Sequence, residues 1–103
     1  SAAQSAYRIA RNGTAIGVGD AAGSRTQATT SSYNGNSDVA SQLVSASMSF
    51  LDSPATTSST TYTIQVRAQA GGYVSYVNQS ATDADNAEYY RNISTITVME
   101  IAA

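Results

Sequence analysis

The feature that most limits how this chain can fold is strict alternation of apolar and polar residues. One such stretch places Tyr62, Ile64, Val66 and Ala68 between polar side chains, and a second places Val44, Ala46, Met48 and Phe50 between Ser residues. A period of two predicts β-strands with one buried and one solvated face. A helix over residues 38–51, capped at Asp38, is the competing interpretation, but the Ser residues on one side favour a strand.

Two glycine-containing turns indicate hairpins. Asn12-Gly13 separates residues 7–11 from residues 14–18, and this dipeptide suits a tight turn with positive φ. Gly71-Gly72 separates the Tyr62 strand from a predicted strand over residues 73–77. With a last strand from Ile93 to Ile101, the pattern predicts about six strands. Long polar stretches between them, residues 19–37, 52–60 and 79–92, are predicted loops. We therefore expect one all-β, antiparallel β-sandwich domain over residues 1–103.

The last predicted strand is apolar on both faces. One face carries Ile93, Met99 and Ile101, and the other carries Ile96 and Val98. A strand of this kind is covered on both sides, and no predicted helix is available to supply the second cover. These five residues are therefore the candidate subunit interface. The alternative is a central strand with a loop of the same chain folded over it.

Composition excludes several classes of function. The five basic residues are all Arg and lie scattered, and the isoelectric point is about 4.6, so we expect no nucleic-acid partner. No apolar run reaches the roughly 20 residues of a membrane span. The chain contains no Cys and no His, which removes thiolate chemistry and a Ser-His-Asp triad. We expect no catalytic residues and a chain that is not an enzyme.

One polar stretch carries the candidate ligand residues. Asp83, Asp85 and Asn86 place oxygen ligands close together, so calcium is the one cofactor worth considering, although a solvated Asx-type turn explains the same residues. Tyr89 and Tyr90 follow directly and are candidate receptor-facing side chains, because Tyr rings stack on sugars and fill interface pockets.

Three stretches together resemble a known viral module. They are RIARNGTAIGVGDAAGSRTQATT, SFLDSPATTSSTTYTIQVRAQAGG and the C-terminal pattern YVNQS-TDADN-Y-R-ISTITVMEIAA, and the strongest pieces are LDSPATTSSTTYTIQVRA and STITVMEIAA. They are similar to the C-terminal part of a C1q/TNF-like jelly-roll domain of bacteriophage (marine phage type) fibre and virion-decoration structural proteins, over nearly the whole chain. The resemblance implies a jelly-roll sandwich, a homotrimer and a final strand near the subunit contacts. Such jelly rolls carry further strands before the position of Tyr7, so we expect a module without its N-terminal strands, or one whose exposed edge another chain completes.

The function expected from these observations is structural. The resemblance implies a non-enzymatic, trimeric fibre-tip or surface-projection module of a virion that serves assembly and host-surface attachment. Its partners would be copies of itself, other virion proteins and a host-surface glycan or protein. Two alternatives remain, a capsid decoration (cement) protein and a calcium- or sugar-binding lectin-like module.

Overall fold

The structure, a computed structural model, describes residues 3–34, 43–69 and 71–102. Within them the chain forms four strands, which are β1 (Ala3–Arg11), β2 (Thr14–Ile16), β3 (Thr30–Asn34) and β4 (Tyr62–Ala68). All four belong to one antiparallel sheet. The prediction of an all-β antiparallel chain is confirmed for this part of the molecule, which contains no helix and therefore no helix that could cross a membrane.

β1 is the central strand, and its two edges are used differently. One edge pairs with β4 along most of its length, from Ser5↔Ala68 to Arg11↔Tyr62. The other edge is shared: β3 pairs with the first half of β1 and β2 with the second half. The whole sheet is therefore built around β1.

The turn between β1 and β2 follows the prediction. Asn12 and Gly13 have φ values of 48° and 84°, as a two-residue hairpin turn requires. The Asn12 backbone N–H donates to the Thr61 carbonyl at 2.8 Å, and Asn12 Oδ1 accepts from the Thr61 N–H at 2.8 Å. The turn consequently also fixes the residue that precedes β4.

Thr29 lies at the junction where β3 and β2 share the edge of β1. Its backbone N–H donates to the Tyr7 carbonyl at 2.8 Å, and its hydroxyl accepts from the Ile9 N–H at 3.1 Å. Tyr7 is the last β1 residue that pairs with β3, and Ile9 is the first one that pairs with β2. Thr29 thus continues the hydrogen bonding along this edge of β1 in the gap between β3 and β2.

We expect Thr29→Val to lower the free energy of unfolding by about 1 kcal/mol, because it keeps the shape of the side chain but removes the acceptor for the Ile9 N–H. Thr29→Ser, which keeps the hydroxyl, should lose less. Urea unfolding at one fixed protein concentration measures both variants. An equal loss in Val and Ser would contradict a role for the hydroxyl.

The two faces of the sheet differ in polarity because alternate residues point to opposite sides. One face, called here the apolar face, carries Tyr7, Ile9, Ile16, Ile64 and Val66. The opposite, polar face carries Arg8, Thr63, Gln65 and Arg67. On the polar face Arg8 Nε donates to Gln65 Oε1 at 2.5 Å across a directly opposed pair.

The apolar face is not closed by a second sheet of the described residues. Ala10 is the one buried apolar residue in this part of the chain, whereas Ile64 and Val66 remain 38% and 42% exposed. A self-contained domain of this size buries several large side chains at close packing. In the part of the chain that the structure describes, the buried apolar core is therefore limited to Ala10.

Three strand predictions are wrong for the described residues. Residues 44–50, 73–77 and 93–101 alternate or carry apolar residues, but none of them is hydrogen-bonded as a strand. Alternation records which side of a segment is apolar, whereas a strand also needs a neighbour that supplies backbone hydrogen bonds. The alternative helix is also wrong for residues 43–51, and its proposed cap, Asp38, lies outside the described residues.

β3 is the strand that the sequence did not reveal. Thr30–Asn34 lies within the stretch predicted as a loop, and its residues are small or polar apart from Tyr33. The strand exists because β1 offers it an edge, with Gln4↔Tyr33 and Ser5↔Ser32 among the pairs. Its formation is thus a consequence of long-range pairing.

Candidate functional site

An open groove of about 1090 Å³ lies against the apolar face of the sheet. Tyr7, Ile64 and Val66 form part of its lining from the sheet side. The other walls come from three segments without strand hydrogen bonding, which contribute Leu43, Met48, Tyr73, Tyr76 and Ile93 among others. The groove thus occupies the place where a sandwich would have its core.

The lining of this groove is poor in groups that could perform chemistry. Its volume exceeds the 300–1,000 Å³ that is usual for small-molecule sites, and its lining is made of apolar, hydroxyl and amide side chains with one charged residue, Arg91. The Arg91 guanidinium is itself held by Asp83. A groove of this size whose lining is partly apolar, and which is open to solvent, favours filling by protein side chains.

A three-residue cluster fixes one wall of the groove to the sheet. Arg11 and Tyr62 are directly opposed residues of β1 and β4, and both bind the Asp52 carboxylate. Arg11 Nη1 lies 2.5 Å from Asp52 Oδ1, and the Tyr62 hydroxyl donates to Asp52 Oδ2 at 2.7 Å. These contacts anchor the long segment between β3 and β4 at its middle.

The same contacts change the ionisation of the cluster. The hydrogen bond from Tyr62, followed by that from Arg11, lowers the pKa of Asp52. The bond to the Asp52 carboxylate in turn raises the pKa of Tyr62. Asp52 binds both of the other groups, so the cluster acts as a structural clamp.

We expect the clamp to make the fold sensitive to acid. Because the folded pKa of Asp52 is lowered below its ordinary value of 3.8, its contribution to stability is present above that pH and is lost as the pH falls below it. Asp52→Asn should be less stable at pH 7 and should lose less stability between pH 7 and pH 3. Unfolding curves at several pH values measure this.

A comparison variant isolates the hydroxyl contribution. Tyr62→Phe removes the largest cause of the lowered pKa but keeps Arg11, so its loss of stability on acidification should lie between those of the parent and Asp52→Asn. Identical acid profiles for parent and Asp52→Asn would contradict the clamp.

A second ion pair organises the loop that carries the candidate ligand residues. Arg91 Nε donates to Asp83 Oδ1 at 2.9 Å, and Arg91 Nη2 contacts the other carboxylate oxygen. The pair lowers the pKa of Asp83 and raises that of Arg91. The base of the loop is closed by the Asn92 N–H, which donates to the Asn78 carbonyl at 2.9 Å, and by the Ser94 hydroxyl on Asn78 Oδ1 at 3.0 Å.

The three predicted calcium ligands have different surroundings in the structure. Asp83 is occupied by Arg91, and Asn86 Oδ1 accepts from the Glu88 N–H at 2.9 Å, which is the Asx-type turn that the sequence also allowed. Asp85 is exposed. In residues 3–34, 43–69 and 71–102 no three His, Cys, Asp or Glu side chains are grouped to hold a metal ion.

The other predicted site residues lie at the surface of the isolated chain. Ile93, Ile96, Val98, Met99 and Ile101 are all 54–85% exposed. Tyr90 is 63% exposed on the same loop, whereas Tyr89 is half-buried with its N–H on the Asn86 carbonyl at 3.3 Å. The two Tyr residues therefore differ in exposure, and Tyr90 is the more accessible one.

Sequence reasoning missed the Arg11–Asp52–Tyr62 cluster. Arg11 lies 41 residues before Asp52 along the chain, and an Asp in a polar stretch carries no local signal of a tertiary contact. Only the β1–β4 register places Arg11 opposite Tyr62.

Comparison of the chain with protein-family models, curated proteins and solved structures finds no match.

Proposed function

We propose that this chain is a non-enzymatic structural module that completes its β-sandwich by associating with further copies of itself. The observation that carries the proposal is the amount of surface that the isolated chain leaves exposed. The chain exposes 7781 Å², whereas a folded monomer of 10.6 kDa exposes roughly 5,500 Å². The difference is about 2,300 Å² per chain, a value in the range of obligate subunit interfaces.

The dimensions of the chain support the same conclusion. Its radius of gyration is 16.1 Å, against about 13 Å for a compact domain of similar length. Part of the exposed surface is apolar. The groove beside Ile64 and Val66 is open to solvent, and the apolar side chains between Ile93 and Ile101 are exposed. Exposed apolar patches of this extent are typical of protein contacts.

The resemblance to phage structural modules supports a more specific proposal. We propose a jelly-roll-like sandwich that assembles as a homotrimer in a virion, at a fibre tip or surface projection. In this arrangement the loop held by Arg91 and Asp83 faces outward and offers Tyr90 to the host surface. Tyr side chains are frequent anchors in recognition of both proteins and sugars.

The experiment that tests assembly measures mass and stability over a range of concentrations. We expect light scattering to give three times the 10.6 kDa mass of the chain, and we expect the unfolding midpoint to rise with protein concentration, as it does for subunits that fold only together. A monomer with a cooperative midpoint that does not depend on concentration would overturn the proposal.

The location in the particle is tested separately. Quantification of the protein in purified virions, with labelling by electron microscopy, should find few copies at fibres or projections. Copies spread over the whole shell would replace the fibre assignment with capsid decoration and leave the assembly proposal intact.

A further inference from the structure

We propose that residues 93–102 of one copy pair, as an added antiparallel strand, with the outer edge of β4 in a second copy. The inference rests on the proposed self-association and assigns the two surfaces that carry it. One is an apolar segment without backbone partners, and the other is a strand edge without a neighbour.

The segment has the properties of a strand that lacks its sheet. Residues 93–102 run without a turn or bend, and in the described part of the chain none of their backbone groups makes a hydrogen bond. Ile93, Met99 and Ile101 are 85%, 80% and 74% exposed, more than most apolar residues of the molecule. Unsatisfied backbone groups beside apolar side chains favour addition to a sheet edge.

The edge that would receive this segment belongs to β4. Among the described residues β4 pairs with β1 alone. In an antiparallel sheet, every second residue of such a strand directs its N–H and C=O away from its neighbour. The outer edge of β4 therefore offers a row of free donors and acceptors, which native proteins normally cover.

The two surfaces match in length, and the apolar residues at the centre of the segment match the apolar face. If Thr97 lies opposite Gln65, residues 94–100 pair with the seven residues of Tyr62–Ala68. Ile96 then lies beside Val66 and Val98 beside Ile64, which extends the apolar face over the groove. Thr95, Thr97 and Met99 fall on the polar face, and Ser94 and Glu100 lie at the two ends of the apolar face.

The geometry favours a second copy over the same chain. Ser94 is held to Asn78 at the base of the loop, and residues 92–95 line the groove of their own chain. From Ile96 to Ala102 no residue lines that groove. Each copy also carries one such segment and one β4 strand whose outer edge is free, so a closed ring of copies covers the β4 edge of every copy.

Engineered disulfides test the pairing directly, because the chain has no cysteine of its own. Thr97→Cys and Gln65→Cys are made in separate chains, unfolded together, refolded and oxidised. We expect a disulfide-linked dimer of one chain of each kind. Its yield should be at least about tenfold higher than in a control where Ser24→Cys replaces Gln65→Cys, since proximity raises the effective concentration of the two thiols. Ser24 is an exposed loop residue.

A chain that carries both substitutions distinguishes the outcomes. A disulfide within one chain would mean that the segment pairs with its own β4 and would overturn the inference. Oligomers of the expected mass without the Thr97–Gln65 link would overturn it while the proposed self-association stands. A monomer without any disulfide link would overturn both this inference and the proposed self-association.

Hydrogen exchange on the unaltered protein gives a second measurement that requires no variant. In the assembled protein we expect all backbone amides of Tyr62–Ala68 to be protected. Rapid exchange at every second amide of β4, at concentrations where the oligomer is intact, would overturn the inference.

Discussion

Replacing Ile64 by Asp is expected to prevent assembly or to lower the free energy of unfolding by more than about 3 kcal/mol. Ile64 lies on the apolar face beside the groove, where we propose that further copies complete the core. In the assembled state the new carboxylate would be buried without a partner. In the isolated chain, where Ile64 is 38% exposed, the same change would cost much less.

Thr63→Asp is the matched control for this substitution. Thr63 is the neighbouring residue of β4, is exposed and points to the polar face. Its replacement introduces the same charge into the same strand, so it carries the strand-propensity cost, about 1 kcal/mol or less. Sedimentation and urea unfolding measure both variants. Equal effects of the two substitutions would mean that the apolar face stays solvated.

Gly17→Ala is expected to lower the free energy of unfolding by about 2–4 kcal/mol, for two combined reasons. Gly17 has φ +60°, a conformation that residues with a Cβ rarely adopt. A Cβ at this position would also lie 2.7 Å from Cγ and Cδ1 of the Phe50 ring. The ring therefore packs directly on the backbone after β2, and it must move to admit a methyl group.

Two comparisons separate the conformational and steric parts of this effect. Gly19→Ala adds the same methyl two residues later, where the nearest atom is the Ala28 carbonyl oxygen at 3.9 Å, and should have a small effect. Adding Gly17→Ala to a Phe50→Ala background should cost less than it does in the parent, because only the backbone strain remains. Similar losses for Gly17→Ala and Gly19→Ala in urea unfolding would contradict the packing of Phe50 on Gly17.

The sequence predicted well those elements whose signal is local. The Asn12-Gly13 turn, the alternation in β4 and the all-β class each follow from a few neighbouring residues, and all three are present. The strands predicted over residues 44–50 and 73–77 are not formed, although several of their apolar residues line the groove. For these segments the sequence showed which side chains are apolar, but it did not show whether their backbones pair with another strand.

By itself, then, the sequence determined which residues alternate, where the chain turns tightly and that residues 93–101 are apolar on two sides. The tertiary structure decided which segments obtain a backbone partner, that β3 forms from a nearly featureless polar stretch, and that Asp52 joins Arg11 and Tyr62. The physical reason is that alternation is a property of consecutive residues, whereas a strand or a clamp depends on groups brought together from distant parts of the chain.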